Sequence, residues 1–381
     1  MREVLDELVS WWERGDMVGL ATVVSTSKSA PREPGAAMVV GPDGVVAGSV
    51  SGGCVEGAVY ELAGEVITDG VSVLEHYGYS DSDAFAVGLT CGGELDVFVE
   101  RISRDSFPEL FEVAADIRGG RPVAVATVID HPDEEKRGRR RVVRVTRSGT
   151  TVTGTVGNER ADEAIADDAV GLLAAGHNSV LQYGPDGQRL GEGMRVFVQS
   201  FSPRPRLLVF GAIDFAAAVA RVGAFLGYEV TVCDARPIFA TQARFPEADE
   251  VVVDWPHRYL AGEHAAGRID QRTAITVLTH DPKFDVPLLR VALELPAAYI
   301  GAMGSRRTHY DRLERLREAG VGEGQLQRLS SPIGLNLGGR TPEETAISIA
   351  ADIVAARWGG TGEPLRDTPG SIHHDLKDVI T

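Results

Sequence analysis

The sequence predicts an α/β protein, with an N-terminal α+β domain followed by a C-terminal Rossmann-like, doubly wound parallel sheet domain. Three observations carry this. The chain has 381 residues, 43% of them hydrophobic, enough to build two separate cores. At Ser202-Pro203-Arg204-Pro205-Arg206 two prolines favour extended chain and cannot continue a sheet interior, so this stretch reads as a linker. Beyond it Leu207 to Phe210 is a continuous apolar run, Gly211-Ala212 turns it, Phe215 to Leu226 is helical, and Glu229 to Cys233 returns as a strand ending at Asp234. Strand, glycine turn, helix, strand and acidic residue in this order form a Rossmann-type βαβ unit. The expected boundaries are residues 1–201, a linker at 202–206, a second domain at 207–360 and a polar tail at 361–381.

From the N-terminus, residues 1–16 read as an amphipathic helix with Val4, Leu5, Leu8, Trp11 and Trp12 on one side, ended by Gly15. Val18 to Val24 is a strand. Ser25 to Pro34 is a loop rich in hydroxyls and proline, with Arg32, suited to covering a site. Ala36 to Val40 and Val45 to Val50 are strands joined by the turn Gly41-Pro42-Asp43-Gly44. Next comes Gly48-Ser49-Val50-Ser51-Gly52-Gly53-Cys54-Val55-Glu56, followed by Val59, Leu62, Ala63 and Val66 at helical spacing. The pattern places Cys54 in the first turn of a helix, behind glycines that let backbone N–H groups point outward. A thiol in such a position sees the positive end of the helix dipole, which favours the thiolate.

A second cysteine has a near-mirror setting, Gly88-Leu89-Thr90-Cys91-Gly92-Gly93-Glu94, after the acidic loop Ser80 to Phe85 and before a strand from Leu95 to Ile102. The spacing of Cys54 and Cys91 fits neither a CxxC redox pair nor a four-ligand zinc site. The plainer alternative for either residue is a small buried hydrophobe, the role that suits Cys233 within Val230-Thr231-Val232-Cys233. Further elements of the first domain are a strand around Val71 to Tyr77, a helix from Phe107 to Ile117 and a strand from Pro122 to Ile129. The basic segment Lys136 to Arg147 and Thr150 to Val156 suggest a hairpin whose charges discourage edge-to-edge aggregation. A helix from Asp162 to Ala175 and strands at Val180 to Tyr183 and Met194 to Phe201 complete an α+β domain without a repeat of solenoid length.

In the second domain the glycine fingerprint is damaged. Gly211 is followed by Ala212, Ile213 and Asp214, so a β-branched residue replaces the glycine that lets backbone approach a pyrophosphate, and Asp214 adds repulsion. Asp234 stands where a ribose-binding acid belongs, or equally serves as a strand-end cap. Strands follow at Glu250 to Val253, Ala274 to Thr279 and Ala298 to Gly301, with a helix near Val286 to Leu293. Met303-Gly304-Ser305-Arg306-Arg307-Thr308 precedes a helix from Tyr310 to Ala319. Gly-Ser and two arginines at a helix start offer an anion site, because amides, dipole and guanidinium forks all favour phosphate. After Ser331-Pro332-Ile333-Gly334, Thr341 as N-cap, Pro342 at N1 and Glu344 at N3 form a capping box for a last helix, with Arg340 just before it.

The formal charge of −17 argues against a general nucleic-acid binder. No N-terminal apolar h-region and no bilayer-spanning apolar run occur, and three cysteines give no disulfide framework, so a cytoplasmic protein with no membrane partner is expected. The small-residue last helix and the two-domain layout suggest a homodimer.

The segments Gly48 to Glu56, Gly88 to Gly93, Gly301-Ala302-Met303-Gly304-Ser305-Arg306-Arg307, and Ser331 to Gly334 with Thr341 to Glu344 together resemble the xanthine dehydrogenase accessory protein family (XdhC/CoxI) over nearly the whole chain. The resemblance implies a maturation factor that binds molybdenum cofactor and protects it while a cysteine desulfurase supplies its terminal sulfido ligand. Delivery to an apo-molybdoenzyme of the xanthine oxidase type would follow. Because molybdenum is thiophilic, Cys54 and Cys91 are expected to converge at the metal end, as soft sulfur donors or as sulfur carriers, with Ser51, Gly52, Gly53, Glu56, Gly92 and Gly93 as further cofactor-binding positions. Arg306 and Arg307, with Gly304, Ser305 and Arg340, would take the cofactor's phosphate. Gly211 and Asp234 would be the cofactor-binding positions of the Rossmann turn, although Ile213 and Asp214 depart from the family's usual turn. The competing classes are an NAD(P)-dependent oxidoreductase built on the Rossmann half, and a cofactor-free adaptor with structural cysteines.

Overall fold

The computed structural model describes residues 1–27, 32–78, 93–146 and 149–368. The chain divides into two compact units, Met1–Pro203 and Arg204–Thr381. The first contains α1 (Leu5–Arg14), β1 (Val18–Ser27), β2 (Ala37–Val40), β3 (Val46–Gly48), α2 (Glu56–Asp69), β4 (Val73–Tyr77) and β5 (Glu94–Ile102). It continues with α3 (Leu110–Arg118), β6 (Val123–Asp130), β7 (Arg140–Thr146), β8 (Gly149–Gly154), α4 (Glu159–Ala175), β9 (Ser179–Tyr183) and β10 (Met194–Phe201).

Among the described residues these strands form two antiparallel sheets, ordered β3-β2-β1-β5-β4 and β8-β7-β6-β10-β9. Alternation along each strand sends one face of each sheet to the other sheet and one face to a helix. Ala21, Val23, Val97 and Val99 pack with Val59, Ala63 and Val66 of α2, and Val128, Val143 and Val196 pack with Ile165 and Ala169 of α4. Between the sheets, Val24, Phe98, Ile129 and Phe197 form a small apolar cluster. Helices α1 and α3 close one side through Leu5, Leu8, Leu110 and Val113.

The basic segment is not a solvated edge. β7 pairs with β6 on one side and β8 on the other. Arg140 is buried against the Glu100 carboxylate and stacks over Phe107 at 4.5 Å, and Arg144 pairs with Asp116 at 2.7 Å. The run of arginines misled because alternation buries every second side chain of a central strand, whatever its charge, provided partners meet it.

The second unit holds β11 (Arg206–Phe210), α5 (Asp214–Phe225), β12 (Glu229–Asp234), β13 (Glu250–Val253), α6 (Pro256–Ala265), β14 (Ala274–Val277) and α7 (Pro282–Ala292). β15 (Tyr299–Ala302), α8 (Arg306–Glu318), α9 (Glu323–Leu326), β16 (Leu329–Ser330) and α10 (Pro342–Trp358) follow. All strands are parallel in the order β13-β12-β11-β14-β15-β16, the doubly wound Rossmann order. The sheet is buried on both faces, against α5 and α10 on one side and α6, α7 and α8 on the other, which is why Leu207 to Phe210 of β11 reads as an unbroken apolar run. α8 starts at Arg306 rather than Tyr310, because the Ser305 hydroxyl caps it by accepting from the Thr308 N–H at 3.1 Å.

Candidate functional site

Strand register gathers the loops of the first sheet at one end. Thr22 pairs with Ala37, Met38 with Gly48, Ser27 with Glu94 and Tyr77 with Leu95. The chain therefore leaves β1, β3 and β4 and enters β2 and β5 at the same end of the sheet. Both segments in which the sequence places a cysteine begin there, after Gly48 and after Tyr77. Cys91 and Gly92 lie outside the described residues. Gly93 is buried just before β5. His76 and Asp96, cross-strand partners at this end, are 2.7 Å apart, a pairing that no sequence signal announced.

The loop after β3 is organised by one carboxylate. Glu56, the first residue of α2, accepts from the Ser49 hydroxyl (2.7 Å), the Ser51 amide (2.8 Å), the Ser51 hydroxyl (2.5 Å) and the Gly53 amide (2.8 Å). Burial alone raises this carboxyl, but the Ser51 and Ser49 hydroxyls and the loop amide outweigh it and hold Glu56 at about 2. The remaining amides also point inward. Gly52 donates to the Ser49 hydroxyl at 2.9 Å, and Cys54 and Val55 donate to the Ser51 hydroxyl at 2.9 and 3.0 Å.

Two expectations change as a result. Cys54 is not in the first helical turn; it precedes the N-cap, Val55, by one residue. The glycine-rich loop forms no outward anion nest, because Ser49, Ser51 and Glu56 take the amides of residues 51 to 55. Ser51 and Glu56 thus hold the loop rather than face solvent. Gly52 and Gly53 have φ of 77° and 121°, and a Cβ added at either meets nothing within 4 Å. Backbone conformation, not crowding, requires glycine there, and the space in front of both is open. Cys54 is half-buried at the border of the α2 core. Cys233, by contrast, is buried in β12, and burial, with Asp254 and Asp234 nearby, pushes its thiol up to about 12.

In the second unit the carboxyl ends of the parallel strands form the edge where such sheets bind ligands. Asp234 is buried there, and each of its oxygens already accepts two hydrogen bonds: Oδ2 from the Ala212 amide and Arg236 (both 2.8 Å), Oδ1 from the Arg236 amide and its Nε (both 2.9 Å). Burial alone raises the group, yet these bonds hold it below the ordinary carboxylate range. No oxygen is left open for a ribose hydroxyl. At Gly211 (φ 111°) an added Cβ comes within 2.8 Å of Thr279 Cγ2, so this glycine lets β11 and β14 close on each other at the switch point. Asp214 sits in the first turn of α5 and pairs with Arg244 at 3.2 Å.

Arg306 and Arg307 are exposed in the first turn of α8, which holds no acidic residue. Neither makes an ion pair among the described residues. Gly304 and Ser305 form the approach to that turn. Arg340 is exposed, and its amide donates to Glu344 at 2.7 Å within the capping box that starts α10. A residue the sequence did not single out ties these loops together. Buried Arg312 donates to the Met303 carbonyl (2.7 Å), the Ser331 hydroxyl (2.9 Å) and Asp285 (3.1 Å), and Asp285 also accepts from Thr279. Arg312 falls in the polar run of α8, where no spacing sets it apart. Among the described residues no cluster of three His, Cys, Asp or Glu could hold a metal ion, and no helix is long and apolar enough to cross a membrane.

Comparison with known proteins adds to this geometry. A family model described as the XdhC Rossmann domain matches residues 207–353, and one described as the XdhC and CoxI family matches residues 11–78 and 117–184. The chain is 28% identical over 340 residues to a Bacillus subtilis protein named as a probable xanthine dehydrogenase subunit, covering 89% of this chain and 92% of that one. It is 27% identical over 338 residues to an Escherichia coli protein named molybdenum cofactor insertion chaperone PaoD, covering 89% and 83%. A crystal structure from Bacillus halodurans, described as a xanthine dehydrogenase, superposes with a TM-score of 0.64 at 23% identity, covering 96% of this chain and 98% of that one. At that identity the likeness speaks to the fold.

Proposed function

This chain belongs to the XdhC and CoxI family, and from that premise we propose that it is a maturation chaperone whose cargo is molybdenum cofactor. The cargo is held while a cysteine desulfurase supplies its terminal sulfur, and is then passed to an apo-molybdoenzyme of the xanthine oxidase type. The name of the E. coli relative supports the insertion role.

The observation that carries the reading is the loop from Ser49 to Glu56. Two amides and two hydroxyls of the loop bind one carboxylate, and the amides from Ser51 to Val55 are engaged within the loop, so it carries a half-buried thiol and open glycine backbone rather than a phosphate nest. Molybdenum is thiophilic, and a sulfur donor on a rigid support suits it better than an oxygen or nitrogen set. In the second unit, Arg306 and Arg307 at the start of α8 carry two guanidinium forks suited to a phosphate. Their test is separate from that of Cys54.

Molybdenum content of protein purified without oxygen from a cofactor-producing host tests the proposal. The wild-type chain is expected to retain molybdenum and to activate an apo-molybdoenzyme. Cys54→Ala is expected to lose both, and Arg306→Ala with Arg307→Ala to weaken retention. Wild-type retention and activation by Cys54→Ala overturn the assignment of Cys54.

A further inference from the structure

The first unit is one module built twice. Sheet orders β3-β2-β1-β5-β4 and β8-β7-β6-β10-β9 are the same order with every strand replaced by its counterpart. Registers agree as well: Thr22 pairs with Ala37 and Phe98 as Thr127 pairs with Arg140 and Phe197, and Met38 pairs with Gly48 as Arg141 pairs with Gly154. Val18-Gly19-Leu20-Ala21-Thr22-Val23-Val24 corresponds to Val123-Ala124-Val125-Ala126-Thr127-Val128-Ile129. The left-handed glycines Gly70 and Gly176 end α2 and α4 alike. The cavity between the sheets is lined by counterpart pairs: Leu20 with Val125, Thr22 with Thr127, Phe98 with Phe197, and Glu100 with Gln199. The family model's two stretches, 11–78 and 117–184, fall on the two copies.

The backbones of the two copies part at the start of the helix that follows the third strand. Asp162 stands where Glu56 stands, and accepts from the Thr155 hydroxyl (2.6 Å) as Glu56 does from its counterpart Ser49 (2.7 Å); each carboxylate also takes a loop amide, Val156 for Asp162 (2.8 Å) and, one position further along, Ser51 for Glu56 (2.8 Å). Yet α4 is already helical at Glu159, Arg160 and Ala161, capped by Asn158, whereas their counterparts Gly53, Cys54 and Val55 lie before α2. We propose that residues 53–55 are a helical turn of the module that is opened in the first copy to face the ligand and kept closed in the second, so that each chain carries one such site. The ligand-facing part rests on the proposed function; the opened turn does not.

The test replaces residues 51–56 in the full chain with the Gly-Asn-Glu-Arg-Ala-Asp of residues 157–162, except that Cys54 is kept in place of the arginine. The reverse variant is Asn158→Gly with Glu159→Gly. Backbone 13Cα shifts at 53–55 are expected to become helical in the graft, and its molybdenum content to fall about tenfold or more. In the reverse variant the turn at 159–161 is expected to open while molybdenum stays at the wild-type level of one per chain. The inference is overturned by non-helical shifts at 53–55 in a folded graft, by two molybdenum per wild-type chain, or by molybdenum loss in the reverse variant. If the graft does not fold, the shifts at 159–161 in the reverse variant decide. If no sample holds molybdenum, the proposed function fails and the shifts alone judge the opened turn.

Discussion

Glu56→Gln separates the loop's support from its chemistry. In the wild type, Oε1 accepts from the Ser49 hydroxyl and the Ser51 amide, and Oε2 from the Ser51 hydroxyl and the Gly53 amide. Glutamine keeps one acceptor and turns an NH2 toward the other pair. A serine hydroxyl can rotate to accept it, but a backbone N–H cannot, so one amide faces a donor. Holding the carboxyl at about 2 rather than its ordinary 4.5 corresponds to about 3 kcal/mol by linkage. Solvent around this partly exposed group screens that to about 1–2 kcal/mol. For a unit of this size the melting temperature at pH 7 is expected to fall by about 2–8 °C. Because the folded carboxyl lies below its unfolded value, the wild-type advantage is complete above pH about 4.5 and disappears as pH falls through about 2. Calorimetry of both proteins from pH 7 to 2 provides the check. Equal melting at pH 7, or a gap that does not narrow on acidification, refutes the clamp.

Two further outcomes follow from the second unit. Titration calorimetry with NAD and NADP is expected to show no saturable binding, and Asp234→Ala to lower the melting temperature rather than alter any nucleotide affinity, since every Asp234 oxygen is engaged internally; saturable binding contradicts this. Arg312→Met leaves Asp285 buried without its cation, so urea unfolding should register a loss of about 3–5 kcal/mol. Asp285→Asn in that background should recover part of it, and a loss under about 1 kcal/mol shows that the hub is not what joins these loops.

What the sequence made legible was local. The start of α10 could be read from Thr341, Pro342 and Glu344 because a capping box lies within four positions, and the βαβ unit from Leu207 to Asp234 because buried parallel strands carry continuous apolar runs. The Glu56 clamp could not be read, because its partners are loop amides and hydroxyls brought together only when the chain folds back from β3. The start of α2 was misplaced for the same reason: apolar periodicity continues through Val55, while the Gly52-Gly53 backbone forbids the turn. The duplication stayed hidden because the copies keep burial and register more than identity; Arg140 and Ala37 are counterparts, as are Gln199 and Glu100. In the Rossmann turn, motif position marked Gly211 and Asp234 but not what meets them: Arg236, two residues on, engages the Asp234 carboxylate, and Thr279, remote in sequence, lies against Gly211.

The duplication also predicts how a buried charge can be removed. Arg140 and Glu100 form a buried pair between the two copies, with Arg140 donating to the Ser106 carbonyl at 2.8 Å as well. Burial raises the Glu100 carboxyl, and Arg140 counters it. At the counterpart position the same fold holds Ala37 and Gln199, whose amide donates to the Gly35 carbonyl at 2.9 Å. Gly35 and Gly138 are themselves counterparts: a Cβ on the first meets Asn178 and Gln199, and one on the second meets Ser72 and Glu100. Arg140→Ala alone therefore strands a buried carboxylate, at a cost of about 3–5 kcal/mol at pH 7. That cost grows with pH, because a carboxyl raised in the folded state is tolerated only while protonated. Arg140→Ala with Glu100→Gln reproduces the arrangement the other copy already accommodates, and should return most of the stability and abolish the added pH dependence. Denaturant unfolding at pH 5 and 8 measures both. A double variant no more stable than Arg140→Ala means that the two copies do not share an interchangeable interior, and that the symmetry of their registers stops at the backbone.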